Sequence, residues 1–168
     1  PDGSHTPLIQ VTDAAGNTTN SNGTPFVVDT SAPNLLGDLA TASDSKGTLA
    51  GVTVGNDTDN ITNDTTPTFT GTTDPNTTIN LVIAAQGSNP QRTYTTTSDA
   101  NGVWTVTVPN SEALVPTPAS GTGVDPLTTN NATTFNVTVT ASDDAGNSAS
   151  VTIPVTIDTI VTDPTINI

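Results

Sequence analysis

Cysteine is absent from this 168-residue chain, so no disulfide can staple it and no thiol chemistry is open to it. Cations are nearly absent. Lys46 and Arg92 stand against 16 acids, a formal net charge of −14. Nothing here can neutralise phosphates, which excludes nucleic acid as a partner. Glutamate is reduced to Glu112, and every other acid is aspartate. Helical surfaces favour Glu, Lys and Arg, so few helices are expected. Aromatic side chains are limited to Trp104, Tyr94, Phe26, Phe69 and Phe135. That is too few to stack sugars around an acid pair, which argues against glycosidase chemistry. His5 is the only histidine. It lacks an evident nucleophile partner and cannot make a zinc site alone. We therefore expect no enzyme. No apolar run approaches the length of a membrane span, so no membrane insertion is expected of this segment. No leader pattern is read at its start, and the chain is expected to be a piece of something longer.

What is present is Asp, Asn, Thr, Gly and Val, a composition that suits strands joined by turns. Phe135, Val137, Val139 and Ala141 alternate with polar residues, as do Val151, Ile153, Val155 and Ile157. Period two with one apolar face predicts half-buried strands. Further strands are expected in 66–71, 78–85, 91–97 and 103–109, with turns at 72–77 and 99–102. Nothing shows helical periodicity. The expected fold is an all-β antiparallel sandwich.

Two segments match at an offset of 130 residues. "PLIQVTDAAGNTTNSNGTPFVVDTSAP" (7–33) parallels "VTVTASDDAGNSASVTIPVTIDTIVTDP" (137–164). Asp13 aligns with Asp143, Gly16 with Gly146 and Asn17 with Asn147. Asp29 aligns with Asp158 after one extra residue. Repetition at this scale signals an array of similar modules. The expected layout has three parts. Residues 1–30 would be the last strands of an upstream module, incomplete here. Residues 31–158 would be one whole module, with a Pro/Gly/Thr-rich insertion near 111–133. Residues 159–168 would begin the next linker.

Three blocks in order, "DNITNDTTPTFTGTTDPNTTINLVI" (59–83), "SDANGVWTVTVP" (98–109) and "VTVTASDDAGNSASVTIPVTIDT" (137–159), resemble the bacterial immunoglobulin-like repeats of giant surface adhesins. That family is exported by type I secretion from Gram-negative bacteria and includes the RTX adhesins. The resemblance implies immunoglobulin-like modules stacked in tandem outside the cell, with calcium at module junctions. It implies an extender that projects a distal binding region for adhesion or biofilm formation. Neighbouring repeats of the same chain would be the immediate partners, and a host or surface ligand would be met by other regions. The alternative is a ligand-binding module that contacts glycan or protein through the 111–133 loop.

The carboxylates fit such a junction. A module's last strand ends at its C-terminal pole, so the "DDAGN" turn before it belongs at the N-terminal pole. Asp143 and Asp144 should therefore face the linker holding Asp29, Asp38 and Asp44. Asp57, Asp59, Asn60 and Asp64 follow close behind. Up to eight carboxylates are expected to converge there. Two carboxylates 4 Å apart repel by roughly 4 kcal/mol at an effective dielectric near 20, so such a cluster calls for a hard cation. Calcium takes six to eight oxygen ligands of this kind, while magnesium prefers a smaller shell with retained water. Asp13 should serve an upstream junction and Asp158 a downstream one. Asp74, Asp99, Asp125 and Asp163 read as turn residues.

Overall fold

A computed structural model of the chain describes residues 1–45, 47–49, 52–54, 58–116 and 132–159. Lys46, Asp57, Asp125, Asp163 and most of the 111–133 insertion lie outside the described residues. So does the expected linker from residue 160 onward.

The N-terminal stretch forms four short strands, β1 (Gly3–His5), β2 (Leu8–Thr12), β3 (Thr18–Asn22) and β4 (Phe26–Val28). They fold as one interrupted hairpin, with β1 paired to β4 and β2 to β3. The interruption has a local cause. Pro7 lacks an N–H and cannot donate to a ladder. Its carbonyl instead accepts the Gly23 N–H at 2.8 Å.

Ten further strands follow. They are β5 (Leu36–Leu39), β6 (Gly47–Leu49), β7 (Val52–Val54), β8 (Ile61–Thr62), β9 (Thr68–Thr72), β10 (Thr78–Ile83), β11 (Arg92–Thr97), β12 (Val103–Thr107), β13 (Thr133–Ser142) and β14 (Ser148–Ile157). Among the described residues, one 3-10 turn spans Asn110–Glu112. Strands β6 and β7 make a small separate hairpin. The others build two sheets, ordered β11-β10-β13-β14-β8 and β12-β9-β5. Every pairing is antiparallel except that of β14 with β8.

Alternation decides what lies between the sheets. The large sheet contributes Ile79, Leu81, Ile83, Phe135, Val137, Val139, Val155 and Ile157; the small one contributes Phe69, Trp104 and Val106. Strands β9 to β14 thus follow the period-two reading, and the all-β immunoglobulin-like sandwich is the observed fold. Strand β5 carries too little pattern to be read that way, and its place is set by Trp104. Gly37, Gly71 and Trp104 stand in one row across β5, β9 and β12. A Cβ at Gly37 or at Gly71 would lie 2.7 Å from the indole ring. The two missing side chains make room for the one large ring, whose Nε1 donates to the Leu36 carbonyl at 3.2 Å.

Candidate functional site: two acidic poles

The sandwich has two ends. At the N-terminal pole sit the 143–147 turn, the turn after β9, the turn after β11, and the entry to β5. The repeated turn has the same construction in both copies. Asp13 Oδ1 accepts the backbone N–H of Asn17 at 2.9 Å, and Asp13 Oδ2 accepts the Asn17 amide at 2.8 Å. Asp143 does the same with Asn147, at 2.8 and 2.9 Å. Gly16 and Gly146 close the turns with φ of 89° and 93°. The Asn147 side chain first, and then its backbone N–H, hold the Asp143 carboxyl below its ordinary value. Asn17 does so for Asp13. Asp99 staples its own turn by accepting the backbone N–H groups of Asn101 and Val103, and is lowered by them.

Both Asp143 oxygens are therefore engaged in the turn, while neighbouring Asp144 is exposed. A cleft of about 630 Å³ opens beside them. Asp29, Asp74, Asp143 and Asp144 line it, and no cationic side chain does. Asp74 is an addition to the expected set, since its "DPN" context gave only a turn signal. Asn147 also reaches the linker, donating its amide to the Asp29 carbonyl at 3.1 Å.

The second group of acids lies elsewhere. Asp38, Asp44, Asp59, Asn60 and Asp64 were expected beside Asp143 and Asp144, and the strand register separates them. Strand β5 crosses the sandwich from Leu36, opposite Thr72, to Leu39, opposite Phe69. By Ala40 the chain has reached the far pole, where its N–H meets the Thr68 carbonyl. Strand β8 then pairs with the last residues of β14, Thr156 and Ile157. Asp44, Asp59, Asn60 and Asp64 thus flank the C-terminal pole, with Asp158. Asp38 stays on β5 opposite Thr70. The ten residues of β14 put the two poles about 30 Å apart.

The C-terminal pole is a polar network. Asp44 and Thr62 are buried, and Asp44 Oδ2 accepts the Asn60 N–H at 3.3 Å. Asp64 accepts from the Ser43 hydroxyl at 2.9 Å and from the Thr66 N–H at 2.8 Å. Thr62 donates its hydroxyl to the Ser43 carbonyl. Asp59 accepts the Ile61 N–H at 3.1 Å. The Asp158 N–H donates to the Thr62 carbonyl at 2.8 Å. Asn60 stands out, with a φ of 56° and a buried Oδ1 that has no hydrogen-bond partner. Burying such an oxygen unmet is costly, so it fits a ligand position.

Each pole is an all-oxygen donor set of carboxylate, amide, hydroxyl and carbonyl groups. That chemistry suits calcium. Among the described residues, however, no three acidic or histidine side chains meet closely enough to hold a metal ion. No described helix is long and apolar enough to cross a membrane. Ser43 and Thr62 lack any sequence signal, because isolated Ser and Thr are ubiquitous here.

The model of the bacterial Ig-like domain family matches residues 38–114. No curated protein matches. Among solved structures, the chain is similar to a tetra-tandem repeat from the extending region of a large adhesion protein. Identity there is 20%, over 94% of this chain and 32% of that one, with a TM-score of 0.47. It is also similar to a Ca2+-stabilized adhesin that helps an Antarctic bacterium reach out and bind ice. Identity there is 26%, over 92% and 31% of the two chains, with a TM-score of 0.35. The chain spans about a third of the length of each. The matched residues, 38–114, take in β6 to β12 of the sandwich, and they overlap the strand and turn blocks that carry the resemblance.

Proposed function

We propose that this chain is an extender segment of a bacterial cell-surface adhesin, non-enzymatic and held outside the cell. Residues 1–30 would be the last strands of an upstream module, 31–158 one whole module, and 159–168 the start of the next linker. Calcium at their junctions would fix them in line. The observation that carries this reading is the presence of oxygen-rich donor sets at both ends of one sandwich.

Stacking such modules head to tail would bring the C-terminal pole of one against the N-terminal pole of the next. Donors equivalent to Asp44, Asp59, Asn60, Asp64 and Asp158 would then meet donors equivalent to Asp143 and Asp144. Neither half would be a complete site alone. In this chain Asp29, Asp74, Asp143 and Asp144 would supply one half, with Asp144 the carboxylate least committed to its own turn. Asp13 would play the corresponding part for a preceding junction. The cation would offset the mutual repulsion of the acids.

Thermal melting and small-angle scattering test this, in calcium and in chelator. Calcium should raise the melting temperature and extend the particle. A ligand at a hundredfold excess over its dissociation constant stabilises by about 2.7 kcal/mol, which is several degrees. Identical curves in both conditions would sink the proposal.

A further inference from the structure

The linker between the N-terminal hairpin and the sandwich is held by hydrogen bonds from both sides. We infer that Asn147 is a positioning residue that latches this linker to the sandwich without any metal. The inference goes beyond the calcium reading, because it needs no cation.

The Asn147 amide has two N–H donors, and two acceptors are in place. Asp143 Oδ2 takes one at 2.9 Å, and the Asp29 carbonyl takes the other at 3.1 Å. The Asp143 carboxylate thereby orients the amide so that its second N–H faces the linker. The linker is also shaped from its own side. Asp29 Oδ1 accepts the Ser31 N–H at 3.0 Å, and Asp2 accepts the hydroxyls of Thr30 and Ser31 at 2.8 and 2.9 Å. Residues 29–31 therefore run from the hairpin's Asp2 on one side to the Asn147 latch on the other. Among the described residues, the matching Asn17 makes the same bonds within its own turn and none to residues 29–31.

The absence of cysteine makes the test direct, because two introduced thiols are the only labelling points. Spin labels at Ser21→Cys and Thr95→Cys, both exposed positions, report the distance between hairpin and sandwich. In chelator, the unmodified background should show one dominant distance. Asn147→Ala should lower the ratio of docked to undocked molecules by about threefold, the scale of one net hydrogen bond. Asn147→Asp should do the same, since a carboxylate cannot donate. Asn17→Ala should leave the distribution unchanged. In the wild-type chain, without substitution, Asn147 side-chain amide protons should exchange more slowly than those of Asn17. Equal exchange at the two positions, or an Asn147→Ala distribution as narrow as the background, overturns the latch. Adding calcium separates the two ideas. If Asn147→Ala broadens in chelator and calcium alters neither chain, the latch stands and the calcium reading falls.

Discussion

The N-terminal hairpin and the β13–β14 hairpin share one turn and corresponding strand pairs, the first with a one-residue shift between β2–β3 and β1–β4, yet they differ sharply in burial. His5 pairs with Phe26 as Phe135 pairs with Val155, and Val11 pairs with Thr19 as Ala141 pairs with Ala149. Phe135, Val139 and Ala141 are all 0% exposed, whereas Phe26, Ile9 and Val11 are 52%, 52% and 59% exposed. Local sequence is enough to specify the hairpin, because Asp, Gly and Asn build the turn and alternation sets the faces. Burial comes only from neighbours. Strands β10 and β8 flank the second hairpin, and the small sheet covers its apolar face. A two-stranded unit without such cover is marginal in water.

The strongest way to break this comparison is to truncate an aromatic ring on each hairpin. Phe135→Ala removes a fully buried ring, and such changes cost about 3–5 kcal/mol. The sandwich should melt far below the unsubstituted chain, if it folds at all. Phe26→Ala removes a half-exposed ring that touches His5, with ring centroids 5.6 Å apart. It should leave the main melting transition within about 0.5 kcal/mol of its original stability. Comparable losses would mean that another surface covers the first hairpin in solution.

The same contrast explains what could be read from the chain alone. Strands β9 to β14 carry at least five residues each, long enough for alternation to show, and it is clearest in β10, β12 and β13, where one face is buried. Strand β5 has four residues with Gly37 among them, and β8 has two, so neither shows a period. Those two short strands decide where the acids go. Without β5 the chain after Asp29 looks like continuous linker, and Asp44, Asp59 and Asp64 look adjacent to Asp143. One four-residue strand carries them to the opposite pole. The turn residues themselves were legible, because an Asp–Asn staple around a positive-φ glycine is local chemistry. The buried pairing of Asp44 with the Asn60 backbone was not, since it joins residues 16 apart.

A smaller effect tests whether the two turns are equivalent. Gly16 and Gly146 both have positive φ, and nothing lies within 4 Å of where a Cβ would stand at either. Alanine there meets only backbone strain, about 1–2 kcal/mol. Gly146→Ala should lower the sandwich's melting temperature by several degrees. Gly16→Ala should leave it unchanged while speeding amide exchange at Asn17, whose N–H the turn protects. A loss of sandwich stability from Gly16→Ala would show that the first hairpin folds cooperatively with the sandwich.

The smallest effect is on acid stability, measured in chelator so that no cation competes. The folded-state carboxyls of Asp13 and Asp143 both lie below the ordinary value of 3.8. A depressed carboxyl stabilises the fold above its unfolded pKa and loses that contribution as pH falls through the folded one. Asp143→Asn abolishes this titration and replaces one acceptor of the Asn147 amide with a donor. The stability gap between Asp143 and its Asn variant should be widest near pH 7 and narrow steadily below about pH 4. Acid–acid repulsion that does not involve Asp143 acts on both chains and cancels in that difference. Asp13→Asn should produce no gap in sandwich melting at any pH, because its turn stabilises only the exposed hairpin. A gap for Asp143 that does not change with pH would mean that shape alone, rather than charge, holds the turn.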